Sequence, residues 1–231
     1  KKIHRLDFEG KFFNSRGPFT VPRSEQGHPV LIQAGQSGRG QRFAARWAEL
    51  VFVAYPNIET GRKEYAAFKQ NVADHGRDPE KVKVAVLAHC VTAETRSEAE
   101  DKRALIDTLP TDLDQLSLLS EALNFDFASR GRDEPLSDDE VLGMQGIQGI
   151  RDRVLEASGK TNPTPNEFMK YSGRGLLHRP WVGSGKDVVD IMEEWFSTRA
   201  CDGFVIAATH VPGAYEDFVK HVVPELQKRG I

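Results

Sequence analysis

The chain has 231 residues, 39% hydrophobic and 28% charged, which excludes a collagen-like, low-complexity or wholly disordered polymer. Lys+Arg total 31 against 34 Asp+Glu, a formal net charge of -3, so the charge footprint of a nucleic-acid binder is missing. No run nears the roughly 18 apolar residues of a membrane span, and no secretory apolar stretch opens the chain. Cys90 and Cys201 lie in apolar surroundings without CxxC or Cys/His spacing, so no metal site is expected. Two reduced, buried thiols fit a cytoplasmic setting.

The chain opens Lys1-Lys2-Ile3-His4, without Met, as expected of a piece of a longer polypeptide or a processed one. Phe12-Phe13 and Phe19-Thr20-Val21 flank Asn14-Ser15-Arg16-Gly17-Pro18, which predicts a small hairpin with a Gly-Pro turn. Core strands are expected near 30–34, 50–54, 82–90 and 203–208, each a near-continuous apolar run. Phe43, Ala44, Trp47 and Ala48 follow the first run at helical spacing, and Trp47, Trp195 and Phe196 are expected in the core. Tyr65, Phe68 and Val72 mark the second helix, stopped by His75-Gly76. A third spans 98–109, and Tyr215, Phe218, Val222 and Leu226 stripe a closing helix bent at Pro224. Four strands each followed by a helix predict a parallel α/β sheet.

Residues 110–186 interrupt this rhythm and are too long for an ordinary loop. The interruption reads as a helical insertion, not a separate domain. It holds one helix through Leu113–Phe125, another over Val141–Leu155 loosened by Gly143, Gly146 and Gly149, and a short one at Asn166–Tyr171. Val188, Met192, Trp195 and Phe196 mark the helix before the last strand. Asp138-Asp139-Glu140 with Ser137 resembles a capped helix start. The charge run Glu98, Glu100, Asp101, Lys102, Arg103 reads as a solvated face.

The most informative stretch is Gln33-Ala34-Gly35-Gln36-Ser37-Gly38-Arg39-Gly40, between a strand and a helix. Backbone N–H groups at a helix start bind phosphate, and glycines allow close approach. The stretch matches neither a Walker A loop nor G-x-G-x-x-G. Taken alone, such a loop is more commonly a tight strand-to-helix turn than a phosphate site.

The segment HPVLIQAGQSGRGQRFAARWAELVFVA resembles the bacterial-luciferase-like flavin monooxygenases, in the subfamily of the nitrilotriacetate, EDTA, dibenzothiophene-sulfone and pristinamycin monooxygenases. FEGKFFNSRGPFTVPRSEQG, VGSGKDVVDIMEEWF and ACDGFVIAATHVPGAYEDFVKHVVPELQKRG agree in order, so the resemblance covers nearly all of the chain. It implies a (βα)8 TIM barrel of which residues 1–231 form the C-terminal half, strands five to eight, with 110–186 inserted. It also implies oxygenation of a small organic substrate by reduced FMN and O2 through a C4a-peroxyflavin. The reduced FMN would come from a separate NAD(P)H-dependent flavin reductase. A homodimer or higher oligomer is expected. Carried onto this chain, the FMN-phosphate loop is Gly35, Gln36 and Ser37, with Gly38 as a packing glycine.

Three histidines are candidate catalytic residues. His89 ends the third predicted strand and His210 follows the fourth, at the strand ends that face a barrel's active site. His178 sits with Arg174 and Arg179 in a Gly-Arg-Gly-rich stretch that could meet an anion. For each, a satisfied structural side chain or solvated loop is the alternative. No Ser/His/Asp arrangement suggests hydrolysis. Two other functions stay open: a non-catalytic flavin-binding or assembly subunit, and a deazaflavin-dependent relative.

Overall fold

Mostly apolar runs form the strands of the parallel sheet, and alanine-rich or amphipathic runs form the helices between them. The structure is a computed structural model and describes residues 3–18, 20–34, 38–172 and 180–231. It divides into two units, Lys1–Leu31 and Ile32–Ile231.

In the first unit, β1 (Asp7–Glu9) pairs antiparallel with β2 (Asn14–Arg16), and Phe8 lies opposite Ser15. The chain forms a hairpin here, but not the expected one with its turn at Asn14–Pro18: the pairing lies one arm earlier. Asn14-Ser15-Arg16 is a strand, and the link is Gly10–Phe13, where the Gly10 N–H donates to Phe13 O at 3.1 Å. Phe8 and Phe13 rings lie 5.9 Å apart across that link, a contact that fixes the arm where sequence punctuation pointed to Gly17-Pro18.

The second unit is a parallel sheet. β3 (Ile32–Ala34) pairs with β4 (Leu50–Val53), and β4 with β5 (Lys83–Ala93). The eleven-residue β5 also pairs with β7 (Gly203–Ala207) through Ala85–His89, and with β6 (Trp181–Ser184) through Cys90–Ala93. The four expected strands are therefore present, parallel, and adjacent in the expected order. The stretch 110–186 is mostly helical, as expected, but it also carries β6, a strand the sequence did not suggest. β5 runs past residue 90, and its extra residues offer backbone groups that the short run Trp181-Val182 satisfies.

Helices link the strands. α1 (Gly38–Trp47) buries Ala44 and Ala45, and Ala48 follows them inward. Its last carbonyls are closed by Arg77, whose guanidinium donates to Ala45 O at 2.9 Å and Ala48 O at 2.7 Å. Trp47 is not core: it is 51% exposed, with the Arg46 guanidinium 4.8 Å from its ring. Alanines pack closer to the sheet than an indole could, so the small residues take the inner stripe. α2 (Ile58–Asp74) starts at Asn57, which accepts from Thr60 N, and ends at His75 with Gly76 at φ 73°.

α3 (Arg96–Thr108), α4 (Asp112–Leu123), α5 (Asp138–Gly143), α6 (Gln148–Ser158) and α7 (Pro165–Tyr171) fill the stretch up to β6. The single helix expected over Val141–Leu155 is two. The break brings Gly146 against α4, where a Cβ would lie 2.0 Å from Ala122 O, so only glycine fits. This stretch has its own core, in which Leu119, Leu123, Phe127, Leu136 and Phe168 are buried. α3, α4, α5, α7 and α8 (Gly185–Ser197) each begin with a capping box, including the expected Ser137 with Glu140.

α8 buries Val188, Val189, Met192 and Trp195, while Phe196 points outward, against expectation. The closing segment is α9 (Gly213–Asp217), a wide π-turn at Phe218–Val222, and α10 (Val223–Arg229). Pro224 falls in the first turn of α10, directly after the π-turn, and its missing N–H interrupts the hydrogen-bond ladder where the helix widens.

Candidate functional site

Strand alternation separates two chemistries on one sheet. Val84 and Val86 of β5 pack with Tyr65, Phe68 and Val72 of α2, and Ala88 and Cys90 pack with α8. Ala85, Leu87 and His89 must then face the other side. Register carries that side across the sheet. Ala34 aligns with Phe52, Phe52 with Ala85 and Ala85 with Gly203; Leu87 aligns with Val205, and His89 with Ala207. Ile32 on the same side is 64% exposed, and Leu50, Phe52, Leu87 and His89 are half-buried. The sheet thus presents an open apolar face with one imidazole among its aliphatic groups.

His89 lies inside β5, four residues before its end, because the strand continues to Ala93. Its register partner Ala207 closes β7, three residues before His210. The two histidines are thereby brought to the same end of neighbouring strands. His210 Nδ1 is 3.1 Å from Thr209 Oγ1, and a Cβ on Gly213 would come within 2.8 Å of His210 Nε2. Gly213 therefore lets the imidazole lie over the start of α9. His178, Gly35, Gln36 and Ser37 lie outside the described residues.

Gly38 is the first residue of α1. A Cβ there would meet only the tip of Arg42, at 3.6 Å, so the described protein leaves open space at this helix start. α1 has no acidic residue in its first turn, so nothing there cancels the positive end of the helix dipole. These features suit an anion.

The sequence reading placed Lys102 on a solvated face, and the structure assigns it elsewhere. Lys102 Nζ donates to Thr92 O at 3.0 Å and to Asp217 Oδ2 at 2.5 Å. It ties the end of β5 to α9, the helix that follows His210. The only sequence signal was a lysine one helical turn beyond Glu98, which is too common to single out. Arg96 Nη2 likewise reaches Asp187 Oδ1 at 2.7 Å, joining α3 to α8. The Ser184 hydroxyl and Arg96 hold the Asp187 carboxyl down at about 2. Tyr55, just after β4, packs against the helix-side core, and burial with the nearby Glu64 pushes its phenol up to about 12. Among the described residues no group of His, Cys, Asp and Glu could hold a metal ion. Nor is any described helix long and apolar enough to cross a membrane.

Comparison with known proteins places this geometry. N-acetyl-S-(2-succino)cysteine monooxygenase of Bacillus subtilis is 35% identical over 232 residues, covering 100% of this chain and 53% of that protein. Nitrilotriacetate monooxygenase component A of Aminobacter aminovorans is 37% identical, covering 100% of this chain and 51% of the relative. The crystal structure of DmoA from Hyphomicrobium sulfonivorans superposes with a TM-score of 0.76 at 29% identity, covering 99% of this chain and 48% of that one. Riboflavin lyase, solved with modified FMN and riboflavin, gives 0.75 at 27% identity, covering 100% and 50%. The chain spans about half the length of the curated relatives it matches. Residues 3–196 match the profile of the luciferase-like monooxygenases, and the chain belongs to that family.

Proposed function

We propose that this chain is the C-terminal half of a luciferase-like barrel, strands five to eight, in a two-component flavin-dependent monooxygenase. The family match over residues 3–196 carries the reading. The relatives named above as monooxygenases, one of them a component A, support it. So does the open apolar face, because apolar patches of this kind are usually covered in a working protein.

FMN is the cofactor this family implies, and one neighbouring structure contains a modified FMN. The residues at hand fit it at one end: the start of α1 has room, the positive end of the helix dipole and no acid. Gly35, Gln36, Ser37 and Gly38 would hold its phosphate. When bound in reduced form, and supplied by a separate NAD(P)H-dependent reductase, it would provide the electrons that activate O2 toward a small organic substrate. The apolar groups Leu50, Phe52 and Leu87 would exclude water from the reacting ring. His89 and His210 would hold or move a proton near it. Assembly as a homodimer or higher oligomer in the cytoplasm belongs to the same reading.

The test uses the full-length enzyme. Ser37→Asp sets a carboxylate against the phosphate and should weaken binding of reduced FMN at least roughly tenfold, equivalent to about 1.4 kcal/mol. Arg39→Ala should be milder. Oxygen uptake should require an added reductase. Unchanged FMN affinity in Ser37→Asp would remove the loop from the site, and reductase-independent uptake would refute the two-component scheme.

A further inference from the structure

A cleft of about 610 Å³ opens on the helix side of the sheet, between α2 and the residues that follow α8. Its α2 wall is one helical stripe: Glu59, Arg62, Lys63 and Ala66 recur at three- and four-residue spacing. Arg199 supplies the opposite wall, and Lys69 and Tyr65 the floor.

The four cations are not equivalent. Lys69 spends its three N–H groups on Pro79 O at 2.9 Å, Val82 O at 2.7 Å and the Asp202 carboxylate at 2.9 Å, so it has no donor left to give. Arg199 uses one nitrogen on Glu80, at 2.7 Å, and stands 5.8 Å from the Tyr65 ring centre. A guanidinium carries five donors, so others remain. Arg62 and Lys63 are exposed and make no ion pair among the described residues. Asp202 and Glu80 neutralise Lys69 and Arg199, and Glu59 offsets one of the other two. The cleft keeps a positive charge, with its free donors on facing walls.

Two further features shape the cleft. Ala66 is exposed in the middle of the stripe, and its small side chain leaves the cleft open. Arg199 sits at φ 56°, in the left-handed region, just after a helix end where glycine is the unstrained choice. That backbone turn aims the Arg199 side chain along this wall, where it meets Glu80 and the Tyr65 ring.

We propose that this cleft binds a small, multiply charged oxyanion of the phosphate or pyrophosphate class, held by Arg62, Lys63 and Arg199. The site is separate from the open face, which lies across the sheet. The experiment titrates inorganic pyrophosphate into the full chain by calorimetry at low salt. Saturable, single-site binding is expected. The double variant Arg62→Ala/Lys63→Ala should weaken it at least roughly tenfold, since two charge-assisted contacts are lost. Ala66→Leu, which narrows the cleft between its charged walls without touching charge, should weaken it. Lys186→Ala, a surface cation elsewhere, should leave it unchanged. Circular dichroism establishes that each variant is folded; if the double variant is not, Ala66→Leu decides. No saturable binding at millimolar pyrophosphate would overturn the proposal. So would binding that Ala66→Leu leaves unchanged, or that Lys186→Ala weakens as much as the double variant.

Discussion

Replacing Asp202 with alanine tests what holds the lower part of the sheet to α2. The Asp202 carboxylate accepts three bonds: from Lys69 Nζ at 2.9 Å, Tyr65 OH at 2.9 Å and Val84 N at 2.8 Å. The Lys69 and Asp202 side chains are only 9% and 12% exposed, so water cannot take over these contacts. Asp202→Ala leaves an ammonium without a counter-charge, and removing one partner of a buried pair costs about 3–5 kcal/mol. The carbonyls of Pro79 and Val82 still accept from Lys69, which favours the lower end of that range. Asp202→Asn keeps an oxygen for one of the N–H and O–H donors and should cost less, about 1.5–3 kcal/mol. The double variant Lys69→Met/Asp202→Leu removes both charges and should recover part of the loss. Recovery should stop short by about 1–3 kcal/mol, because the Val84 N–H stays orphaned. Urea unfolding at fixed pH, followed by circular dichroism, measures all three. The exposed pair Lys186–Asp190 is the control, and Lys186→Ala should cost no more than about 0.5 kcal/mol. If Asp202→Ala costs no more than that control, the buried-pair account is refuted.

Three smaller tests probe other links. Gly185→Ala should cost at least about 3 kcal/mol or prevent folding, since its Cβ would lie 1.9 Å from His221 O. Gly149→Ala, with nothing within 4 Å, should instead be neutral or stabilising by up to about 1 kcal/mol, as read by thermal unfolding. Cys90 and Cys201, pushed up by burial to about 12 and 11, should resist a thiol reagent at pH 8 in the folded protein. Labelling mapped by mass spectrometry should follow unfolding, and prompt labelling of the folded protein would contradict their placement. Asp187 is held at about 2 against an ordinary 3.8, so its contribution is fully present above about pH 4. That contribution should fade as pH falls toward 2, and Asp187→Asn should flatten stability across that window.

The strands were legible because burial on both sides, or at a sheet centre, leaves uninterrupted apolar runs such as Val84–Ala88. β6 was not, because only Trp181 and Val182 mark it and its existence depends on how far β5 runs. Trp47 misled for a related reason. Side-chain size predicts burial only when the space is large, and α1 meets the sheet through Ala44, Ala45 and Ala48. Helix starts were legible at Ser137-x-x-Glu140, where one local hydrogen-bond pattern fixes the boundary. The Lys102–Asp217 tie spans 115 residues and has no local signature. Of the candidate site, His89 and His210 could be placed at strand ends, but their convergence rests on the register of β5 with β7.

That register also explains how one strand serves two purposes. Ala88 and Cys90 are fixed by α8, while Leu87 and His89, one residue away, face the open side. Because side chains alternate, a slip of one residue in β5 would send His89 into the helix-side core and expose Cys90. The slip is opposed from three directions. The Asp202 carboxylate holds the Val84 N–H at one end, Lys102 holds Thr92 O at the other, and the pairing with β6 and β7 fixes the edge between. The buried charge of Lys69 and Asp202 therefore bears on function without touching the open face. It sets the register that decides which residues of β5 belong to that face.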